Sequence, residues 1–280
     1  MTVITTIVTG EGALKDFRVL LFTLEQYYKD PPTIYVFTDS MTVWKNVTYK
    51  GILHRKETLD EYQSLNRGQL ERIPGRRFKT RWTDFMCEKI NVLRWAFNEN
   101  PGPEGIWFLD ADITLFGPLP SLPEVCDLGL SPHFICSDDE VKYGHYNGGF
   151  LWMKDQKFLN VWEEATKTSR FYEQAALEAV ATTAEHLHEF PIQVNFGWWR
   201  LSQSTEDASG IQSQFGFNRN GGGVGLTFRG LALGSVHTHW GEKTDFHTSR
   251  FNKLILKFLE TLGKHKPAAE FRAMIRKNFD

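Results

Sequence analysis

The residues with the most evident chemical potential are Asp110-Ala111-Asp112, which directly follow the apolar run Ile106-Trp107-Phe108-Leu109. Such a run, preceded by Asn100-Pro101-Gly102-Pro103, has the pattern of a strand buried on both faces at the centre of a sheet. Side chains at i and i+2 of extended backbone point the same way, so both carboxylates are expected to face one point. Two anions that close repel unless a cation lies between them or one takes up a proton. Oxygen donors of this kind suit a hard divalent ion, Mn²⁺ or Mg²⁺. An ion held by two carboxylates keeps positions open for substrate oxygens, commonly those of phosphates. The pair therefore implies a nucleotide or diphosphate ligand. Gly221-Gly222-Gly223-Val224-Gly225 lacks the following Lys-Ser/Thr of a P-loop and is expected to be a flexible loop. No Gly-x-Gly-x-x-Gly follows the first apolar run, which argues against a dinucleotide enzyme.

The elements that must position these acids follow a βαβ pattern. Val3 to Val8 is β-branched throughout and ends in Thr9-Gly10-Glu11-Gly12, a strand and a turn. Leu14, Phe17, Leu21, Leu24 and Tyr28 then share a helical face, stopped by Pro31-Pro32, before a second strand at Ile34–Phe37. Residues 41–80 are polar and basic at Arg72, Arg76, Arg77 and Lys79, and are expected to be irregular. A helix is predicted over Asp84–Asn98, a strand at Phe150–Met153, and helices over Phe158–Ala165 and Phe171–Thr182. A strand is expected over Leu231–His239 and a last amphipathic helix from Phe251 to Leu262. The alternation predicts an α/β fold, a Rossmann-like sheet that is mixed but mostly parallel and flanked by helices. The strand's carboxyl end, where Asp110 falls, is where open α/β sheets bind ligands.

Phe108-Leu109-Asp110-Ala111-Asp112 resembles the Asp-x-Asp motif of GT-A-fold, nucleotide-sugar-dependent glycosyltransferases, and more specifically of glycosyltransferase family 8, the group of glycogenin and bacterial lipopolysaccharide galactosyltransferases. Further segments match in the same order, over residues 3 to about 245. Lys89 stands where the family has a donor-contacting lysine. Tyr146-Asn147-Gly148-Gly149-Phe150 is similar to the Asn-x-Gly segment beside the donor sugar, and Glu173-Gln174 to the Asp-Gln pair near the reacting carbon. Val236-His237, followed by Lys243, resembles the His…Lys motif in which His completes the metal site and Lys meets the diphosphate. By the same resemblance Val8-Thr9 would hold the nucleoside, with Asp39 nearby.

The resemblance implies a single GT-A domain over 1–280: a nucleotide-binding half to about 115, an acceptor and metal-completing half over about 116–250, and C-terminal helices over about 246–280. It also implies a Mn²⁺- or Mg²⁺-dependent transfer of sugar from a nucleoside diphosphate, with UDP expected, to a glycan or other hydroxyl acceptor with retention of configuration. Departures from the pattern leave points open. Gly241 lies two residues after His239 rather than three after His237, so either histidine is a candidate third metal ligand, with the spacing to Lys243 favouring His237. Glu173 replaces the usual Asp, and Thr244-Asp245 the usual Pro-Trp.

Each residue also has a plain alternative. Gly148-Gly149 fits an ordinary turn, Lys89 a solvated helix position, His237 a strand histidine and Glu173-Gln174 an exposed helix face. Trp198, Trp199 and Trp240 fit core packing better than a stacking wall for an acceptor. Three rival functions remain on sequence alone: an inverting transferase with Glu173 as base, a sugar-nucleotide nucleotidyltransferase, and a catalytically silent sugar-binding protein. The acidic Glu11 in the first loop argues against the nucleotidyltransferase, which would place basic residues there.

Composition narrows the class. A formal charge of −2 over 280 residues supplies no overall basic field for nucleic acid or anionic lipid. No apolar run is long enough to span a membrane, and the opening Met1–Thr6 lacks the basic and apolar regions of a signal peptide. Three cysteines, Cys87, Cys126 and Cys136, form no disulfide framework and no Cys-x-x-Cys. Together these lead to the expectation of a reducing, cytosolic setting, in which the sequon Asn46-Val47-Thr48 stays unmodified.

Overall fold

A computed structural model describes residues 2–63, 65–102, 104–218, 223–263 and 266–279. Its strands are β1 (Val3–Val8), β2 (Thr33–Thr38), β3 (Leu53–Glu57), β4 (Ile106–Leu109), β5 (Ile113–Leu115), β6 (Leu128–Pro132), β7 (Tyr146–Met153), β8 (Leu187–Glu189), β9 (Phe196–Gly197), β10 (Phe215–Phe217), β11 (Leu226–Phe228), β12 (Leu231–Ala232) and β13 (Ser235–His237).

The main sheet runs β3-β2-β1-β4-β7-β6-β8. Its pairings are parallel except where β7 meets β4 and β6. It is thus mixed and mostly parallel, as the sequence pattern predicts, with β4 in its middle. Apolar residues of β1, β2 and β4 alternate between two cores. Val3, Tyr35, Phe37, Ile106 and Phe108 pack with the helices Glu88–Glu99 and Lys157–Thr166. Ile4, Ile34, Val36, Trp107 and Leu109 pack on the other face with Leu14, Phe17, Leu21 and Leu24 of the helix Gly10–Tyr27. Strands covered on both faces read as unbroken apolar runs, and full burial of each such side chain contributes roughly 1.5–3 kcal/mol. A third core joins β9, β11 and β13 to the helices Phe246–Thr261 and Lys266–Phe279.

Several local expectations change. The stretch over 41–80 carries β3, the parallel partner of β2, and a short helix Arg67–Arg72. β3 escapes the sequence pattern because it is a polar edge strand, exposed from His54 to Glu57. The helix expected over Asp84–Asn98 is two, Arg81–Met86 and Glu88–Glu99, which meet at Cys87. β7 starts at Tyr146, so Gly148-Gly149 lies within a strand and not in a turn before one. Of Phe171–Thr182 only Leu177–Ala181 is α-helical, after turns in which Tyr172 takes φ 44°. The strand expected over Leu231–His239 breaks after Ala232 and resumes at Ser235. In the glycine-rich loop, Gly221 and Gly222 lie outside the described residues. Val224 is buried, its N–H donating to Phe116 O at 2.9 Å, so this part of the loop is anchored. Among the described residues no helix is long and apolar enough to cross a membrane.

Candidate active site

The chain leaves the main sheet at the carboxyl end of β4 and turns through Asp110-Ala111-Asp112 into β5, which belongs to another sheet. The two acids therefore converge through a turn, not through the i, i+2 alternation of an extended strand. Asp110 N–H donates to Gly149 O at 2.8 Å, which extends the β4–β7 ladder by one step. β5 pairs antiparallel with β13, with His237 opposite Ile113, and Thr238 N–H donates to Asp112 O at 3.1 Å. That register sets His237 beside the acid pair across 125 positions of sequence.

His237 Nε2 lies 3.2 Å from Asp112 Oδ1 and 3.7 Å from Asp110 Oδ2. One ligand atom from each of Asp110, Asp112 and His237 falls within 4.8 Å of the others, and among the described residues this is the group that satisfies such a test. These separations are of the order expected between neighbouring ligands of one divalent ion, so Asp110, Asp112 and His237 are the residues that would hold it. The mixed carboxylate and imidazole donors suit Mn²⁺ at least as well as Mg²⁺. Burial would raise the Asp112 pKa, but the imidazoles of His237 and His239 outweigh it and hold the carboxyl below its ordinary range.

His239 is not part of this group. Its Nδ1 lies 3.2 Å from Asp16 Oδ2 and 3.4 Å from Asp112 Oδ2, and its ring is mostly exposed. Asp112 raises the His239 pKa to about 10, and Asp16 adds to the rise. Burial in turn lifts Asp16 to about 6, even though His239 and the Trp240 N–H stabilise its charged form. Asp16 sits on the helix Gly10–Tyr27 and was not singled out by the sequence, where a lone Asp on a helix carries no signal.

Lys89, near the start of the helix Glu88–Glu99, is buried. Its Nζ lies 3.3 Å from Asp110 Oδ1 and 3.0 Å from Glu173 Oε1, and donates to Gly148 O at 3.2 Å. Burial disfavours the ammonium, but Asp110 and Glu173 together more than offset this and raise its pKa. Glu173 is only 1% exposed and its Oε2 has no hydrogen-bond partner among the described residues. It faces Lys89 from behind and does not line the cavity described below.

β7 passes so close that its glycines are required. A Cβ on Gly149 would overlap Asp110 Oδ2 and stand 2.6 Å from His237 Cε1, and one on Gly148 would stand 3.1 Å from Glu173 Oε1. Gln174 Oε1 accepts from Gly148 N–H at 3.3 Å, while its Nε2 donates to Tyr143 O at 3.0 Å. Asn147 is buried. Its Oδ1 accepts from Gly149 N–H and Asn195 Nδ2, each at 3.1 Å, and its Nδ2 lies 3.4 Å from His133 Nε2.

A cavity of about 360 Å³ opens over these groups. Thr9, Asp16, Lys89, Asp110, Ala111, Asp112, His237 and His239 line it, with an aromatic flank of Trp82, Phe85 and Trp198. Val8 is buried and does not line the cavity. Asp39 is also buried. Both its oxygens accept from Gly10 N–H, at 3.1 and 2.9 Å, so it serves as the missing cap of the helix Gly10–Tyr27. Lys243 lines an adjoining cavity of about 540 Å³, which shares Ala13, Asp16 and His239 with the first. Of the three tryptophans, Trp199 and Trp240 are buried, donating to His133 O at 3.3 Å and Thr114 Oγ1 at 2.8 Å, and only Trp198 faces the cavity. Arg67, inside the polar stretch over 41–80, and Trp82, just beyond it, are cavity residues that the sequence did not single out; the Arg67 guanidinium lies 5.2 Å from the Trp82 ring centroid.

The sheet order, with an acid pair leaving its middle strand, defines the GT-A glycosyltransferase architecture. The chain shares this fold with a solved galactosyltransferase, LgtC, in complex with donor and acceptor sugar analogues: identity is 11%, coverage 90% of this chain and 95% of that one, TM-score 0.50. Mouse xyloside xylosyltransferase 1 is similar at 10% identity over 72% of this chain and 90% of that chain, TM-score 0.45. The glycosyltransferase GlyE of Streptococcus pneumoniae TIGR4 is similar at 12% identity over 71% of this chain, TM-score 0.45, and the match spans 48% of the GlyE chain. No protein-family model and no curated protein matches the sequence.

Proposed function

We propose that this protein is a divalent-metal-dependent glycosyltransferase that moves a sugar from a nucleoside diphosphate, UDP in particular, to an acceptor hydroxyl with retention of configuration. The observation that carries the reading is the convergence of Asp110, Asp112 and His237 at the carboxyl end of β4, in a cavity open to ligand. A Mn²⁺ or Mg²⁺ ion held by these three would neutralise charge that develops on the departing diphosphate.

The chain's own residues do the rest. The end of β1 at Thr9 borders the cavity and is placed to receive the nucleoside. Lys243 in the adjoining cavity supplies positive charge toward the diphosphate side. Lys89 brings a fixed ammonium to Asp110 and to the Gly148 carbonyl, where the donor sugar would lie. Trp198 and Trp82 offer flat apolar faces for a sugar acceptor. As the C1–phosphate bond breaks, the acceptor oxygen bonds to C1 from the same side, and its proton passes to the leaving phosphate oxygen.

Two observations favour retention over inversion. An inverting reaction needs an enzymic base at the acceptor, and Glu173 is buried against Lys89. Of the carboxylates that do line the cavity, Asp110 and Asp112 belong to the candidate metal group and Asp16 is paired with His239. The test is a panel of nucleotide sugars with Mn²⁺, with EDTA, and with D110N, read as release of nucleoside diphosphate. Turnover with a UDP-sugar that EDTA and D110N abolish is the expected result. Failure of every donor to bind or react with metal present refutes the proposal, and product from sugar phosphate plus nucleoside triphosphate points to a nucleotidyltransferase.

A further inference from the structure

On the opposite side of the helix Gly10–Tyr27 from the active site lies a further, partly open cleft of about 390 Å³. It shares no lining residue with either cavity described above. Asp16 faces the active site and Arg18 faces this space, in keeping with about 200° of rotation over two helical residues. Its walls come from that helix, from the segment Asn46–Thr48 and from the last turns of the helix Lys266–Phe279.

The guanidinium of Arg18 is the unusual feature. Its Nε is buried and has no hydrogen-bond partner among the described residues, and none of their ion pairs includes Arg18. An arginine offers five donors in a planar fork; with Nε buried, the terminal amino groups are the donors that would meet an acceptor in the space. Lys277 adds a second cation, while Asn46 and Thr48 add neutral polar groups. One carboxylate, Glu25, also lines the space, but it is already committed to Lys50: the Lys50 N–H donates to Oε1 at 2.7 Å and Nζ lies 3.6 Å from Oε2. Phe22, Val47 and Met274 make the remaining wall apolar.

We infer that this space is a binding site for a small phosphate monoester: the phosphoryl oxygens on Arg18 and Lys277, the organic body against Phe22 and Met274. A phosphate matches the arginine fork and accepts from several donors at once. The volume falls in the range of small-molecule sites, roughly 300–1,000 Å³. The site is independent of the proposed transfer reaction and of any metal.

Isothermal titration in EDTA with inorganic phosphate and with phenyl phosphate tests the assignment. The expected result is saturable binding at millimolar concentration or below, with phenyl phosphate tighter than inorganic phosphate. R18Q should weaken it at least about tenfold, and K277Q, an exposed position that leaves the fold intact, about threefold or more. D110N should bind both probes like the native protein. The assignment is overturned by absence of saturable binding, by equal affinity in K277Q and native protein, by benzoate binding as tightly as phenyl phosphate, or by D110N removing the binding.

Discussion

The backbone of Gly149 lies against the carboxylate of Asp110: a methyl group there would overlap Oδ2 and approach His237 Cε1 to 2.6 Å. This contact, between a strand that enters the sheet's centre and the residue that leaves it, fixes where the acid pair points.

Gly149→Ala is therefore expected to displace the Asp110 carboxylate. Overpacking of this kind costs about 1–3 kcal/mol of stability, and Mn²⁺ affinity should fall at least about tenfold, with activity near background. Gly148→Ala meets nothing closer than 3.1 Å and should be milder in both respects. Calorimetric Mn²⁺ titration and urea unfolding of both variants check this, and unchanged metal binding in Gly149→Ala contradicts the geometry.

Lys89 compensates two carboxylates from a buried position, with Nζ at 3.3 Å from Asp110 and 3.0 Å from Glu173. Lys89→Met leaves Glu173 buried and uncompensated, and is expected to destabilise by roughly 3–5 kcal/mol. Adding Glu173→Gln should restore a large part of that stability but not the activity. Urea denaturation of the single and double variants measures the coupling; additive losses would show that the ion pair is not a unit.

The proposed metal site gives a contrast between two histidines. His237→Ala should lower Mn²⁺ affinity by at least about tenfold, as loss of a ligand does. His239→Gln should change it by less than about threefold, since His239 lies outside the ligand group and contacts Asp16 and Asp112. On the proposed function, EDTA should abolish sugar transfer by the native protein and added Mn²⁺ restore it. Electron paramagnetic resonance of bound Mn²⁺ follows both variants, and the reverse order of effects would move the third ligand to His239.

Acid should unfold the protein partly through His133, which is buried beneath Asn147. Burial lowers its pKa to about 4, with Arg200 contributing, although the Gly144 carbonyl favours the protonated ring. The unfolded chain takes up this proton near pH 6.5, so it binds more protons than the native state between there and about 4. Stability from this group is present above pH 6.5 and is lost as pH falls through that window, by up to about 3 kcal/mol. Asp16, lifted to about 6, acts in the opposite sense, so the comparison is between native protein and His133→Asn. Urea midpoints from pH 7 to 4 should fall less steeply in the variant; parallel slopes would reject the assignment.

Local chemistry explains what was legible without coordinates. β1, β2 and β4 could be read because strands covered on both faces are apolar without interruption, and their β-α-β spacing implied a mostly parallel sheet. β3 could not, because an edge strand with exposed side chains has the composition of a loop. The helix over Phe171–Thr182 failed for a related reason: its apolar residues suit a helix, yet tertiary packing turns Glu173 inward against Lys89 and leaves a short helix behind.

The sequence alone determined that two carboxylates end a buried strand, and hence raised the expectation of a cation and an oxygen-rich ligand there. It also marked His237 and His239 as candidates and favoured His237 only by its spacing to Lys243, because i and i+2 on one strand face the same way. The choice is tertiary: β13 pairs with β5 in a register that ends at His237, while the chain beyond it swings His239 to Asp16. Likewise, sequence named Glu173 and Asp39 as site residues, and only the fold shows them turned to Lys89 and Gly10. Side-chain type is local information, whereas the direction a side chain faces depends on strand register and burial, and these exist only once distant segments have packed.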